Sequence, residues 1–193
     1  MLLRFARHPE NGEIYAWAIA ELEKRHRLEG AARWAKLLLE KDPKTPVAER
    51  CRKLIKRSEI TGKIAPLSAK EKQVTAQLGG RILVIDFFAT WCAPCVESIP
   101  KLVDLLKRRE QDGLRIVGIA MDDDKEKLVR FKRDHSVPWP FIRSSFEGDV
   151  DERFGVLEIP SYVVIDVAKG TIIETELSGD ALLTRLNALL DTR

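Results

Sequence analysis

Over the first sixty residues the apolar positions recur every three or four places. Tyr15, Ala18, Ile19 and Leu22 form one stripe, and Ala31, Ala35, Leu38 and Leu39 form a second. This spacing gathers each set on one side of a helix, so residues 10–42 read as two helices. Gly30 falls in the joint between them or just inside the second. Asp42-Pro43 ends the second, because the residue before a proline avoids the helical region. Val47, Cys51, Leu54 and Ile55 align in the same way and predict a third helix from about Pro46 to Glu59. Trp17 and Trp34 are expected to pack between these helices, and Cys51 to serve as a small apolar core residue.

Beyond residue 60 the pattern shortens. Thr61-Gly62 through Pro66 reads as a linker, and the polar stretch 68–78 as a helix ended by Gly79-Gly80. Ile82-Leu83-Val84-Ile85-Asp86-Phe87-Phe88 is a short apolar run bounded by breakers, the mark of a strand buried on both faces. A helix from Pro94 to about Arg109 and a second buried strand from Leu114 to Met121 follow. Asp122-Asp123-Asp124 suit the positive end of a helix that runs to about His135. Residues 136–149, with Pro138 and Pro140, read as irregular, with a short helix at 149–154. Ser161 to Asp166 and Thr171 to Leu177 are strands around a turn at Ala168-Lys169-Gly170, and Asp180 caps a last helix to Leu190. Alternating strands and helices, then a hairpin and a helix, predict an α/β fold with a central mixed sheet flanked by helices. The expected division is a helical N-terminal region, residues 1–61, and a main domain, residues 62–193.

Charge divides along the same line. The net charge of +3 is the difference between +6 over residues 1–63 and −3 over the rest. A basic head is either a solvated helical surface or an attraction for an acidic partner or membrane surface. No groove-reading motif or basic run interleaved with aromatics is present, which argues against nucleic acid. No run of about 18 apolar residues exists to span a membrane. Met1 to Arg7 is too short and too basic for a signal-peptide apolar region, which points to a cytosolic protein or a processed chain.

Three cysteines are too few for a disulfide scaffold. Two of them form Trp91-Cys92-Ala93-Pro94-Cys95, placed after a buried strand and at the start of a helix. A helix N-terminus carries unpaired N–H groups and partial positive charge, so a thiolate there is stabilised and its pKa falls. Cys92 is expected at the exposed helix tip as nucleophile, with Cys95 three residues on, underneath, as the resolving thiol. The other reading, half of a zinc site, lacks two ligands. His8, His26 and His135 have no ligand spacing, and Cys51 is remote. No metal and no cofactor are expected beyond the redox-active Cys92–Cys95 disulfide.

The stretch Val84-Ile85-Asp86-Phe87-Phe88-Ala89-Thr90-Trp91-Cys92-Ala93-Pro94-Cys95, together with Glu158-Ile159-Pro160-Ser161-Tyr162-Val163-Val164-Ile165-Asp166, resembles the thioredoxin superfamily, and within it the TlpA/ResA-like thiol-disulfide oxidoreductases. The segment from Val117 to Val156 is similar to the extra strand-helix insertion of that group. The resemblance covers about residues 62–191 and implies a thioredoxin fold. It implies that Pro160 is a cis proline facing the cysteines, that Ile159 offers its backbone to an extended substrate, and that Trp91 forms an apolar docking rim. Asp86 departs from the Asn common in the group. A carboxyl buried there should titrate high and accept the proton of Cys95. Ser98 stands where many members carry Glu, which removes the acid associated with cytochrome substrates. Asp122–Asp124 lack calcium-loop spacing, and Trp139 either shapes a loop beside the site or packs.

The head, a helix–Gly–helix–Asp-Pro pattern, resembles one tetratricopeptide unit. One unit cannot bury its own face, so these helices either pack on the main domain or bind a partner. The resemblance implies exchange with disulfide-bearing protein partners. Its direction depends on reduction potentials and not on the motif; the expectation is a reductant resupplied by an upstream thiol. It also implies an extracytoplasmic location, against the cytoplasmic reading of the N-terminus. Two other functions share the fold. A non-catalytic docking module would not need Cys92, Cys95, Asp86 and Pro160 together. A thiol peroxide reductase would need a Thr where Ala89 stands.

Overall fold

The structure is a computed structural model that describes residues 12–122, 124–144, 150–177 and 179–192, with the backbone alone for Glu176 and Leu177. The expectations that touch residues 10 and 11, Asp123 and residues 145–149 lie outside the described residues. The chain divides into two compact units, Met1–Glu59 and Ile60–Arg193.

The first unit holds helices α1 (Gly12–Lys24) and α2 (Leu28–Lys41), and α3 (Ala48–Ile60) as far as Glu59. The predicted stripes form one core: Tyr15, Ala18, Ile19, Ala31, Ala35, Leu38, Cys51 and Leu54 are buried, and Tyr15 meets Trp34 edge-on at 5.4 Å between centroids. Of the two places open to Gly30 the structure takes the second, and one expectation changes. The turn between α1 and α2 is made by His26 at φ +52°, with Arg27 N–H donating back to the Leu22 carbonyl at 2.9 Å. Gly30 therefore lies inside α2, against the Leu22 side chain. Trp34 packs between the helices as expected, but Trp17 does not; it is 57% exposed.

The second unit is built on a five-stranded sheet in the order β3-β2-β1-β4-β5. The strands are β1 (Ile82–Phe88), β2 (Leu114–Ala120), β3 (Phe141–Arg143), β4 (Ser161–Asp166) and β5 (Thr171–Leu177). β1 runs parallel to β2 and antiparallel to β4; β3 is parallel to β2 and β5 antiparallel to β4. The helices are α4 (Ala69–Leu78), α5 (Ala93–Arg109), α6 (Lys125–Asp134), α7 (Val150–Phe154) and α8 (Gly179–Asp191). Every residue of β1 is buried, because helices cover both faces. Ile82, Val84 and Phe88 face a core shared with Leu102 and Leu105 of α5, Phe131 of α6 and Leu186 of α8. Leu83, Ile85 and Phe87 face the other core, with Val150 and Phe154 of α7. Asp86 is in phase with Val84 and Phe88, so strand alternation places its carboxyl on the α5 side.

Three sequence readings are corrected here, and one left open is decided. Residues 136–149 are not wholly irregular, since Phe141–Arg143 form edge strand β3. Three residues are too few to show a period. What seats them is Gly118, whose missing Cβ leaves room for the Phe141 ring; a Cβ there would come within 2.7 Å of it. Thr61 to Pro66 is no free linker but lies along β5: Gly62 N–H donates to Ile172 O at 2.8 Å and Ala65 N–H to Gly170 O at 2.9 Å. Asp180 sits within the first turn of α8, paired with Lys101 at 3.0 Å, rather than ahead of it. Of the two readings open for Trp139, packing holds: it is a core residue ahead of β3, and the carbonyl of the next residue, Pro140, accepts from Gly118 N–H.

α4 is anchored by charge. Ser68 and Glu71 form a capping box, and Glu71, 1% exposed, also receives both nitrogens of Arg153 from α7 at 2.9 and 3.0 Å. Arg153 also donates to the carbonyl of Pro66.

Candidate active site

β1 delivers the chain to a turn at the end of the sheet. The Phe88 carbonyl still accepts from Met121 N–H at 2.8 Å, after which the turn closes with Cys92 N–H on Ala89 O at 3.2 Å. Asp122, at the end of β2, holds this turn. Its carboxylate is 5% exposed and accepts from Thr90 N–H at 2.7 Å and from the Thr90 hydroxyl at 2.6 Å. The acidic triplet thus splits its work. Asp124 is the N-cap of α6, accepting from Glu126 and Lys127 N–H, and these bonds hold its carboxyl below the usual range. Asp122 serves the cysteine loop instead, with Lys127 at 3.7 Å beside it.

Cys92 is the N-cap of α5, and its sulfur accepts from Cys95 N–H at 3.3 Å. Pro94 occupies the first turn, where a missing N–H leaves nothing unpaired. Cys92 and Cys95 are joined as a disulfide, with Cα atoms 5.3 Å apart. Cys92 is less open than expected, at 5% exposure. The carbonyl oxygen of Ile159 lies 3.6 Å from its sulfur, so the segment entering β4 covers it from one side. The Ile159–Pro160 bond is cis, and both residues are partly exposed. Trp91 is 66% exposed, and Ala93 and Pro94 are also exposed, which gives the sulfur an apolar rim.

Asp86 lies inside, 3% exposed, and one carboxyl oxygen, Oδ1, has no hydrogen-bond partner. Burial pushes its pKa up to about 7. Directly opposite it across the β1–β4 pair stands Tyr162, 1% exposed. Burial, and then the nearby Asp86 charge, push the Tyr162 phenol well above its ordinary value. The Tyr162 hydroxyl donates to Ser98 Oγ at 2.9 Å, and Ser98 in turn donates to the Cys95 carbonyl at 2.7 Å.

The structure therefore brings Cys92, Cys95, Trp91, Ile159 and Pro160 around one disulfide, with Asp86 on the sheet face beneath α5. Three residues at this site were absent from the sequence reading as participants: Asp122, Tyr162 and the bridging role of Ser98. Only strand alternation hinted at Tyr162, which shares a sheet face with Val164. No local pattern links Asp122 to Thr90, 32 positions away.

Known proteins fit this geometry. The thiol:disulfide interchange protein HelX of Rhodobacter capsulatus is 28% identical over 131 residues, which cover 66% of this chain and 72% of HelX. The thiol-disulfide oxidoreductase ResA of Bacillus thuringiensis is 23% identical over 111 residues, covering 58% of this chain and 62% of ResA. The chain thus spans less than two thirds of the length of that ResA. A solved thioredoxin domain of a thiol-disulfide oxidoreductase from Bacteroides vulgatus superposes with a TM-score of 0.58, at 23% identity, over 67% of this chain and 97% of that one, and so shares the fold. The sequence matches the AhpC/TSA family over residues 59–175, well over half of the chain. The chain belongs to the AhpC/TSA family, and the relatives it matches set it among the thiol-disulfide oxidoreductases.

Proposed function

We propose that this chain reduces disulfides of protein partners by exchange through Cys92, with Cys95 as resolving thiol and Asp86 as its proton acceptor. The observation that carries the reading is the position of Cys92 as N-cap of α5, where a backbone N–H already points at its sulfur. In the reduced protein that donor and the helix's partial positive charge favour the thiolate, the attacking species.

The cycle follows from the positions. The Cys92 thiolate attacks one sulfur of the partner's disulfide. That S–S bond breaks, and the partner's other sulfur leaves as a thiolate and takes a proton from water. The Cys95 thiol gives its proton to the Asp86 carboxylate. Its thiolate attacks Cys92 Sγ, forming the Cys92–Cys95 bond and releasing the partner's second sulfur. Two electrons have passed to the partner, and an upstream thiol reductant restores the pair. The exposed Trp91 and the carbonyl of Ile159 border the sulfur and would hold an extended partner segment during the attack. The resemblance to TlpA-like proteins supports an extracytoplasmic setting, where such disulfides form.

Cys95→Ser tests this directly. Without the resolving thiol the mixed disulfide cannot be released, so incubation with a disulfide-bearing protein is expected to accumulate a covalent adduct through Cys92. The adduct should be absent in Cys92→Ser and dissolved by dithiothreitol. A Cys95→Ser protein that traps nothing contradicts the exchange reading.

A further inference from the structure

We propose that Asp122 is a positioning residue for disulfide exchange: its buried carboxylate clamps Thr90 and so keeps the Cys92 sulfur on the tip of α5, where it is held as an anion. The proposal rests on the reading of Cys92 as the attacking thiolate.

The place of that sulfur depends on a short turn. β1 ends at Phe88 and Cys92 is already the N-cap of α5, so Ala89, Thr90 and Trp91 alone join them. One backbone bond closes the turn, Cys92 N–H to Ala89 O at 3.2 Å. A turn closed in this way gives the N–H of its second residue, Thr90, no partner within the turn. Asp122 takes that N–H on one carboxylate oxygen at 2.7 Å and the Thr90 hydroxyl on the other at 2.6 Å. Two charge-assisted bonds to one planar group fix the orientation of Thr90 as well as its distance. The clamp has a firm base, because Met121, the residue before Asp122, donates its N–H to Phe88 O at 2.8 Å. The end of β2 thus grips the chain on both sides of Ala89. Cys92 leaves the turn with the extended backbone, φ −87° and ψ 100°, that sets its sulfur 3.3 Å from Cys95 N–H.

Placement and charge act in opposite senses. A carboxylate near a thiolate repels it, so through its charge Asp122 raises the Cys92 pKa; Lys127, 3.7 Å from the carboxylate, tempers this. Through placement Asp122 lowers that pKa, since the cap position supplies both the Cys95 N–H and the partial positive charge of the helix. The proposal is that placement outweighs charge.

The test titrates Cys92 by thiolate absorbance near 240 nm, with reduced Cys95→Ser as the parent of each variant; Cys51 stays protonated, its thiol pushed up by burial and by Glu23. Asp122→Ala removes both bonds and the charge, and the Cys92 midpoint is expected to rise by about one unit. Asp122→Asn removes the charge but can keep both bonds, its oxygen accepting from Thr90 N–H and its amide donating to the Thr90 hydroxyl. Its midpoint should stay at or below that of the parent. Thr90→Val deletes the hydroxyl bond alone and should give a smaller rise than Asp122→Ala. An unmoved or lowered midpoint in Asp122→Ala, or a rise as large in Asp122→Asn, overturns the proposal. Should Asp122→Ala fail to fold, Thr90→Val carries the test, and an unmoved midpoint there overturns it. The exchange reading fails separately: it falls if the Cys95→Ser parent, with Asp122 intact, traps no partner, whatever the Asp122 variants show.

Discussion

Replacing Asp86 with Asn is expected to remove most of the acid-to-alkaline loss of stability in this protein. In the folded state burial raises the carboxyl from 3.8 to about 7, whereas the unfolded chain exposes an ordinary aspartate. The native state therefore holds the extra proton between these values, and stability falls as pH rises through that window. Below pH 4 the acid is neutral in both states and costs nothing. Above pH 7 it is charged in both, and the folded protein bears the full desolvation cost. A separation of about three units corresponds to on the order of 4 kcal/mol. Asn cannot ionise, so the stability difference between Asp86→Asn and wild type, both as disulfides, should grow by that amount from pH 4 to pH 9. Denaturant melts at several pH values measure it. A difference independent of pH would mean that Asp86 titrates like an exposed aspartate. The same substitution should slow release of a mixed disulfide near neutral pH, because Cys95 loses its proton acceptor. A residue that weakens the fold at working pH while serving the chemistry is the usual sign of a functional group.

The second large effect lies away from the cysteines. Arg153→Met strips Glu71 of its bidentate partner. The Glu71 side chain is 2% exposed, and among the described residues the only other hydrogen bond to its carboxylate is from Ser68 N–H. Removing one member of a buried pair leaves an uncompensated charge, at a cost of about 3–5 kcal/mol. The pair itself is worth far less than that, since its attraction is spent on desolvation. Accordingly Glu71→Met/Arg153→Met should recover most of the loss, and chemical denaturation of the two variants decides the point. A double variant as unstable as Arg153→Met would show that the guanidinium's bond to the Pro66 carbonyl, rather than neutralisation of Glu71, is what counts.

How far the sequence reaches depends on whether a feature is local. β1, β4 and β5 coincide with their predicted spans, because an unbroken apolar run, or two such runs around one turn, can be seen in a short stretch of sequence. The helix stripes around Leu38 and Leu54 are legible for the same reason, as their burial repeats with the helical period. β3 is not legible: its three residues are seated by an absence, the missing Cβ of Gly118, on a different strand. In the site the division is alike. The cysteine pair and the helix that starts on it are adjacent in sequence, and the height of the Asp86 pKa follows from an acid inside an apolar strand. Three consecutive aspartates suit a helix end, yet the carboxylate of Asp122 is taken by Thr90 from another loop. The covering of Cys92 by Ile159 likewise depends on how β4 meets the helix tip, a relation between segments 67 positions apart.

The claim beneath all of this is electrostatic: the sulfur of Cys92, capping α5, is an anion at neutral pH. Thiolate absorbance near 240 nm in reduced Cys95→Ser reports it, since Cys51 stays protonated, its thiol pushed up by burial and by Glu23. A sulfur that is an anion at neutral pH titrates below about 7, at least about 1.5 units under the free-thiol value of about 8.5. A midpoint at or above about 7 would contradict the account.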